Sequence, residues 1–190
     1  NYSYNHGIEG STESLAELQK SAVENDRTFA QVGLLMSLLL ANGTPMLLAG
    51  DEFGNTQYGN NNAYCQDNEI TWLKWAEFNT ALFELTKQTI ALRKRMGSLN
   101  RDQWWSGENV QWLNIEGEPM TVEDWQNRET KALQIVLDNR WLLLINAKAK
   151  SQAFCLPVGE WTPLNGTHHL TLNTRQTELR TMGFCALSNE

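Results

Sequence analysis

An acidic pair followed by an amide-rich segment is the part of this sequence whose residue types could do chemistry. Asp51 and Glu52 come directly after the apolar run at residues 46–49, and residues 59–69 read Gly-Asn-Asn-Asn-Ala-Tyr-Cys-Gln-Asp-Asn-Glu. Carboxylates transfer protons or accept hydrogen bonds, and amides both donate and accept them. Sugar hydroxyls present the same mixture of donors and acceptors, so the segment predicts a sugar-binding site.

Asp51 and Glu52 are poorly placed to act as a catalytic pair on one glycosidic bond. Neighbours in an extended strand point to opposite faces, whereas a retaining glycosidase needs two facing carboxyl groups about 5–5.5 Å apart. We therefore expect a mainly structural role, in which one carboxylate hydrogen-bonds neighbouring loops and the other lines the site.

The stronger candidates for substrate contact lie in the amide-rich segment. Their side chains can hydrogen-bond to a sugar or stack on its ring: Asn60, Asn61, Asn62, Tyr64, Gln66 and Asp67. The alternative is that the asparagines cap turns and satisfy the backbone of their own loop. With Asp51 and Glu52 these residues form the predicted substrate-binding set, and the sequence assigns no catalytic residue and no metal ligand.

Composition and charge narrow the class of protein. The chain has 190 residues, 41% of them hydrophobic and 19% charged, with a net charge of −7. This charge argues against nucleic-acid and anionic-membrane partners, and no apolar run reaches the ~20 residues of a membrane helix. Three scattered cysteines favour a reducing, cytoplasmic location over a disulfide framework. The chain begins at Asn1 in what reads as a polar loop, which predicts a piece of a longer protein.

The first half of the chain has the pattern of helices and one buried strand. Apolar periodicity predicts helices over residues 14–41 and 76–95, and the apolar run at 46–49 predicts a parallel strand buried on both faces. Residues 53–74 are rich in turn formers and predict a long loop. The basic cluster at residues 93–95 is expected to complement the dipole of its helix, with phosphate binding as the alternative.

The second half has the pattern of a small antiparallel β-domain. Short β-like runs alternate with turn signals, and Asp138-Asn139 between two runs predicts a tight hairpin. Strands are expected at residues 110–113, 132–137, 141–145, 153–156, 170–172 and 184–187.

Gly43-Thr44-Pro45 through Gly50-Asp51-Glu52, together with residues 59–68, resembles the bacterial glycogen debranching enzymes of the isoamylase type, in the α-amylase superfamily. The pairs Trp104-Trp105 and Asp124-Trp125 resemble the C-terminal domain of the same family. The resemblance implies an α/β plus all-β fold: the last strand and last two helices of a (β/α)8 barrel at residues 1–97, then an antiparallel β-sandwich at 98–190.

The resemblance also implies an activity. Family members hydrolyse the α-1,6 branch linkages of glycogen or limit dextrin with retention, using three carboxyl groups on barrel strands and no cofactor. Those three positions lie upstream of Asn1, so the chain is expected to be inactive alone. Its expected partners are an α-glucan and the N-terminal barrel portion of the same protein.

Three alternatives remain open from the sequence. An isoamylase or a maltooligosyltrehalose-hydrolysing relative is possible within the same superfamily. A vestigial product of an interrupted gene is another reading. The third is a non-catalytic glucan-binding module, in which tryptophans of the β-domain stack on sugars: Trp104, Trp105, Trp112, Trp125, Trp141 and Trp161.

Overall fold

Two long helices lie in the first half of the chain. The structure, a computed structural model, describes residues 14–164, 176–179 and 183–189. Helix α1 spans Glu17–Leu39 and helix α2 spans Thr80–Arg95. Both helices were predicted, but α2 starts later than expected because the Asn79 side chain accepts a hydrogen bond from the Leu82 N–H at 3.0 Å, which caps the helix at that point.

The second half forms two antiparallel sheets within the described residues. The larger sheet has the strand order β1-β2-β3-β7-β5, and the smaller sheet pairs β4 with β6. The strand bounds are β1 Val110–Leu113, β2 Ala132–Leu137, β3 Trp141–Asn146, β4 Gln152–Cys155, β5 Thr162–Pro163, β6 Gln176–Leu179 and β7 Gly183–Ser188. The predicted antiparallel β-region is thus confirmed, while the strand expected at residues 170–172 lies outside the described residues.

The β2–β3 hairpin has the predicted tight turn. Asp138 and Asn139 have φ angles of 53° and 52°, and Leu137 pairs with Trp141 on either side of them. Positive φ at both central residues is the type I′ geometry that matches the twist of the flanking strands. Asp and Asn tolerate this conformation better than other non-glycine residues, which is why the dipeptide was a usable signal.

The larger sheet is buried on both faces. Along β3, Trp141 and Leu143 pack with α1 and α2 in one apolar cluster, whereas Leu142 and Leu144 pack in a second cluster. The second cluster includes Phe154 of the smaller sheet. Strands buried on both sides read as continuous apolar runs without alternation, which explains the sequence Trp-Leu-Leu-Leu-Ile of β3.

The helices share their core with the larger sheet. Met36 and Leu40 at the end of α1, and Leu92 and Met96 at the end of α2, belong to the cluster that contains Trp141. This packing crosses the domain boundary predicted near residue 97. The division into 1–97 and 98–190 therefore stays a prediction, and in this structure the two parts meet through a continuous apolar core.

Arg93 joins the ends of the two helices. Its guanidinium donates to the carbonyls of Leu39 at 2.6 Å and Ala41 at 2.7 Å, to Gly43 at 2.5 Å and to Leu99 at 3.2 Å. The basic cluster was predicted to complement the dipole of its own helix, whereas the Arg93 side chain bonds to carbonyls at the end of α1 and to Leu99 beyond α2. With four carbonyl contacts, this guanidinium has a structural role in the described chain.

The strand predicted at residues 46–49 is not formed in this structure. Residues 44–48 have no regular secondary structure, and Met46 and Leu48 are 87% and 64% exposed. A buried parallel strand needs hydrogen-bonding neighbours and covering helices, and no described strand lies beside this segment. The end of a (β/α)8 barrel is accordingly not visible in the described residues, whereas the antiparallel part of the predicted fold is.

Strands β5 and β6 and helix α3 of the described structure were not predicted. Helix α3 spans only Val122–Gln126 and begins with a capping box: Thr121 accepts from the Asp124 N–H at 3.1 Å, and Asp124 accepts from the Thr121 N–H at 2.9 Å. The pattern Thr-x-x-Asp is a recognisable start signal. The helix is too short to produce an apolar period, so its signal lay in the cap alone.

Candidate functional site

The acidic pair sits in a tight turn at the N-terminal side of the amide-rich loop. A single 3-10 turn covers Asp51–Phe53, flanked by Gly50 and Gly54 at φ angles of 102° and 77°. A Cβ atom on Gly50 would lie 2.7 Å from the Asn55 Cβ. Glycine is therefore required at position 50 both by the backbone angle and by the close approach of Asn55.

The two carboxylates have different surroundings. Glu52 accepts a hydrogen bond from the Gly50 N–H at 2.8 Å, so it stabilises the turn, consistent with the structural role expected for one member of the pair. Asp51 borders an open cavity of about 200 Å³, together with Asn55 and the leucines of α1 at positions 34, 35 and 38. Partial desolvation and, secondarily, the charge of Glu52 raise the pKa of Asp51 above its ordinary value.

An aromatic cluster packs around Phe53, the last residue of the turn. Phe53 is 1% exposed, and its ring lies 5.0 Å from that of Trp75 and 6.0 Å from that of Phe78. Its carbonyl accepts from the Asn79 N–H at 2.9 Å, and the Glu52 carbonyl accepts from the Thr86 hydroxyl at 3.3 Å. The turn that carries the acidic pair is thereby anchored to the first two turns of α2.

Much of the hydrogen bonding of the amide-rich loop is internal. Asn60 accepts from the Asn62 N–H at 2.9 Å, Gln66 accepts from the Asn68 side-chain amide at 3.0 Å, and Asp67 accepts from the Trp72 indole N–H at 2.9 Å. These contacts are what the turn-capping reading expects of Asn60, and they hold Gln66 and Asp67 in place as well.

The outer surface of the loop carries the remaining candidates. Asn61, Asn62 and Gln66 are exposed, and the Tyr64 ring is 83% exposed. The hydrogen bonds of Asn60, Gln66 and Asp67 stay inside the loop, and none of them reaches Asp51 or Glu52. The structure thus places the predicted residues in two adjacent groups, the turn and the loop, and their role in substrate binding stays a prediction.

Sequence reasoning missed a pair that joins the two ends of the loop. The Lys74 ammonium lies 3.5 Å from the centre of the Tyr58 ring, and its nitrogen is buried with no hydrogen-bonding partner. The backbone N–H of Lys74 donates separately to the Asn55 side-chain oxygen at 3.2 Å. A cation held on a ring face closes the loop on itself. No spacing rule connects residues 58 and 74, so the contact had no sequence signal.

Cys65 lies at the surface of the amide-rich loop. Its side chain is exposed, and its φ is 55°. The histidines of the sequence lie outside the described residues.

Neither a metal site nor a membrane span is found where the structure describes the chain. Over residues 14–164, 176–179 and 183–189, no group of three or more histidine, cysteine, aspartate or glutamate side chains could hold a metal ion. The helices in these ranges are not long and apolar enough to cross a membrane.

The six tryptophans of the glucan-binding alternative separate into three groups. Trp141 is 1% exposed in the core, and the Trp161 indole N–H donates to the Pro157 carbonyl at 2.9 Å. The other four lie nearer the surface, and three of them form consecutive ring contacts: Trp105, Trp112 and Trp125.

Known proteins match this chain along its whole length. Residues 105–177 match the family described as the glycogen debranching enzyme C-terminal domain. The chain is 80% identical over 190 residues to the glycogen operon protein GlgX homolog of Haemophilus influenzae, covering 100% of this chain and 29% of that protein. It is 47% identical over 176 residues to a glycogen debranching enzyme of Dickeya chrysanthemi, covering 90% of this chain and 26% of the relative.

The chain therefore spans less than a third of the length of these curated relatives. A solved structure with the same fold is an apo pullulanase from Paenibacillus barengoltzii, with a TM-score of 0.61 and 21% identity over 94% of this chain and 26% of that chain. These matches confirm the resemblance that the sequence predicted: the chain corresponds to the C-terminal part of a bacterial glycogen debranching enzyme.

Proposed function

We propose that this chain is the C-terminal part of a cytoplasmic enzyme that hydrolyses the α-1,6 branch linkages of glycogen or limit dextrin. The observation that carries the proposal is the 80% identity to a glycogen operon protein homolog over all 190 residues, supported by 47% identity to a glycogen debranching enzyme. At such identity the fold and the placement of side chains are shared. The catalytic carboxyl groups belong to the N-terminal portion, and the mechanism needs no cofactor.

The unpaired apolar segment supports a barrel end in residues 1–97. Met46 and Leu48 are exposed, as are Leu18 at 90% and Leu34 at 65% on α1. Exposed apolar side chains concentrated on one part of a chain mark a surface that another part of a protein covers. We assign that cover to the remaining strands of a (β/α)8 barrel, against which residues 46–49 would form a strand, with residues 98–190 as the β-sandwich.

The amide-rich loop is our proposed glucan-contacting segment. Tyr64 presents an exposed ring, and Trp72 presents a second ring that is 57% exposed and is held by Asp67. Rings stack on the C–H faces of sugars, while the exposed amides of Asn61, Asn62 and Gln66 match their hydroxyls. Asn60 and Asp67 serve mainly to hold the loop in shape, Glu52 holds the turn, and Asp51 faces the adjoining cavity.

A chimera tests the proposed function. The Haemophilus relative is produced with its corresponding segment, 29% of its length, replaced by this chain, and release of reducing ends is measured on glycogen limit dextrin. We expect the chimera to debranch at a rate within about tenfold of its parent, which is under about 1.4 kcal/mol of transition-state stabilisation. The 190-residue chain alone is expected to release none.

The outcomes separate the alternatives. A folded chimera without activity would contradict the proposal and favour a vestigial product. Activity on long-branched glycogen in preference to limit dextrin would indicate the isoamylase alternative. Hydrolysis by the isolated chain would contradict the assignment of the catalytic groups to the N-terminal portion. Circular dichroism of the chimera and its parent establishes that both are folded.

A further inference from the structure

We propose that the β-region carries a second, non-catalytic α-glucan-binding site, built on Trp112 and Trp125 with Trp105 behind them. The inference rests on the proposed function, since it names an additional contact to the same class of polymer. It narrows the six tryptophans of the β-region to the three whose rings form one connected cluster, which we call the tryptophan ladder (Trp105, Trp112 and Trp125).

The ladder runs from the core to the surface. Trp105 and Trp112 pack against the apolar cluster between the helices and the larger sheet, and their ring centres are 5.8 Å apart. The Trp112 and Trp125 ring centres are 5.6 Å apart with their planes at 72°, and Trp125 is 53% exposed. Trp125 therefore presents part of its indole to solvent at the outer end of the ladder. We take an α-glucan as the occupant because the proposed function already binds this class of polymer.

Each ring of the ladder is held by backbone structure. The Trp105 indole N–H donates to the Ser98 carbonyl at 3.1 Å. Trp112 lies on β1, in register with Ile135 of β2, and its carbonyl accepts from the Met120 N–H at 2.9 Å. Trp125 lies on α3, which the capping box of Thr121 and Asp124 fixes at its start. Rings fixed before binding lose little conformational entropy when a ligand stacks on them.

The exposed end of the ladder has the chemistry of a sugar site. In the described structure the indole N–H groups of Trp112 and Trp125 make no hydrogen bond, so both can donate to hydroxyl oxygens. Apart from Val122, the other residues of α3 are polar. A ring surrounded by hydrogen-bonding groups suits a sugar, which pairs an apolar face with a rim of hydroxyls. The negative net charge of the chain disfavours polyanions as occupants.

Affinity electrophoresis of the full 190-residue chain tests the site. Native gels with increasing glycogen are compared with gels containing hydroxyethyl cellulose, a flat β-linked polymer. The chain is expected to be retarded by glycogen alone. Trp125→Ala should raise the apparent Kd about tenfold, equivalent to about 1.4 kcal/mol. Trp104→Ala is the matched control, because Trp104 is 91% exposed and has no ring contact in the described structure.

A second variant guards against loss of folding. Trp125→Phe keeps a ring at this position, so it should retain part of the retardation while reducing the change in tryptophan emission that maltoheptaose causes in the original chain. Unchanged mobility of the original chain in glycogen would overturn the proposal, as would equal effects of Trp125→Ala and Trp104→Ala. Retardation that is lost only in Tyr64→Ala would place all binding in the amide-rich loop and also overturn it. Because no arm requires hydrolysis, failure here is distinct from an inactive chimera.

Discussion

Replacing Arg93 should destabilise the chain far more than replacing the lysine beside it. The guanidinium donates to the carbonyls of Leu39, Ala41, Gly43 and Leu99, and the contacts to Leu39 and Leu99 are partly buried. Hydrogen bonds from a charged donor contribute about 1.5–3 kcal/mol each when shielded and little when exposed. Counting the two shielded bonds at the lower value predicts that Arg93→Met lowers the free energy of unfolding by about 3 kcal/mol.

The assay is urea unfolding followed by circular dichroism at 222 nm, with thermal melts in parallel. For a chain of this size, a loss of about 3 kcal/mol corresponds to a fall in Tm of about 6–12 °C. Lys94→Met removes the same charge one residue later, from a side chain that is exposed, and should change the stability by less than about 0.5 kcal/mol. Arg93→Lys should lie close to Arg93→Met, since an ammonium cannot fork to four carbonyls. If Arg93→Met and Lys94→Met had equal effects, the guanidinium would not be the clamp that its geometry describes.

Three further changes have expected outcomes. The pKa of Asp51 is raised in the folded chain, so its contribution to stability is present below the ordinary aspartate pKa and is lost as the pH rises through the raised value. Asp51→Asn should therefore raise Tm at pH 7 but not at pH 3. Equal shifts of Tm at both pH values would contradict this. Asn139→Gly should be nearly neutral because position 139 has a φ of 52°, whereas Asn139→Val should cost about 1–2 kcal/mol in urea unfolding; similar values for the two would refute the turn assignment. Phe154→Ala empties a site that is 0% exposed between the two sheets and should cost about 3–5 kcal/mol, and a loss below about 1 kcal/mol would show that the site collapses around the gap.

The strands that sequence reasoning predicted well are those whose signal is local. β1 and β2 have the predicted bounds, because a short apolar run between turn formers carries its own evidence. The hairpin at Asp138-Asn139 is set by the φ preferences of two residues. By contrast, β5 is only two residues long and is defined by its pairing with β7. Its own sequence therefore carries no strand pattern.

The failures share a dependence on distant partners. Residues 46–49 have the composition of a buried strand, yet a strand is a property of its neighbours as much as of its own residues. The Tyr58–Lys74 contact and the Arg93 clamp likewise depend on which segments the fold brings together. Within the candidate site, the sequence predicted the residue types and the loop. It did not predict that the side chains of Asn60 and Asp67 would form hydrogen bonds within the loop.

The arrangement of α2 explains why a β-region accompanies the candidate site at all. The start of α2 holds the turn through Asn79 and Thr86, which bond to the carbonyls of Phe53 and Glu52. The end of the same helix is buried with the larger sheet through Leu92. A helix is stiff over this length, so the position of the acidic turn is tied to the sheet by one rigid element. The β-region thus helps to fix the position of the loop through α2. Substitutions in the shared core should therefore change the conformation of the loop, even though they lie in the other half of the chain.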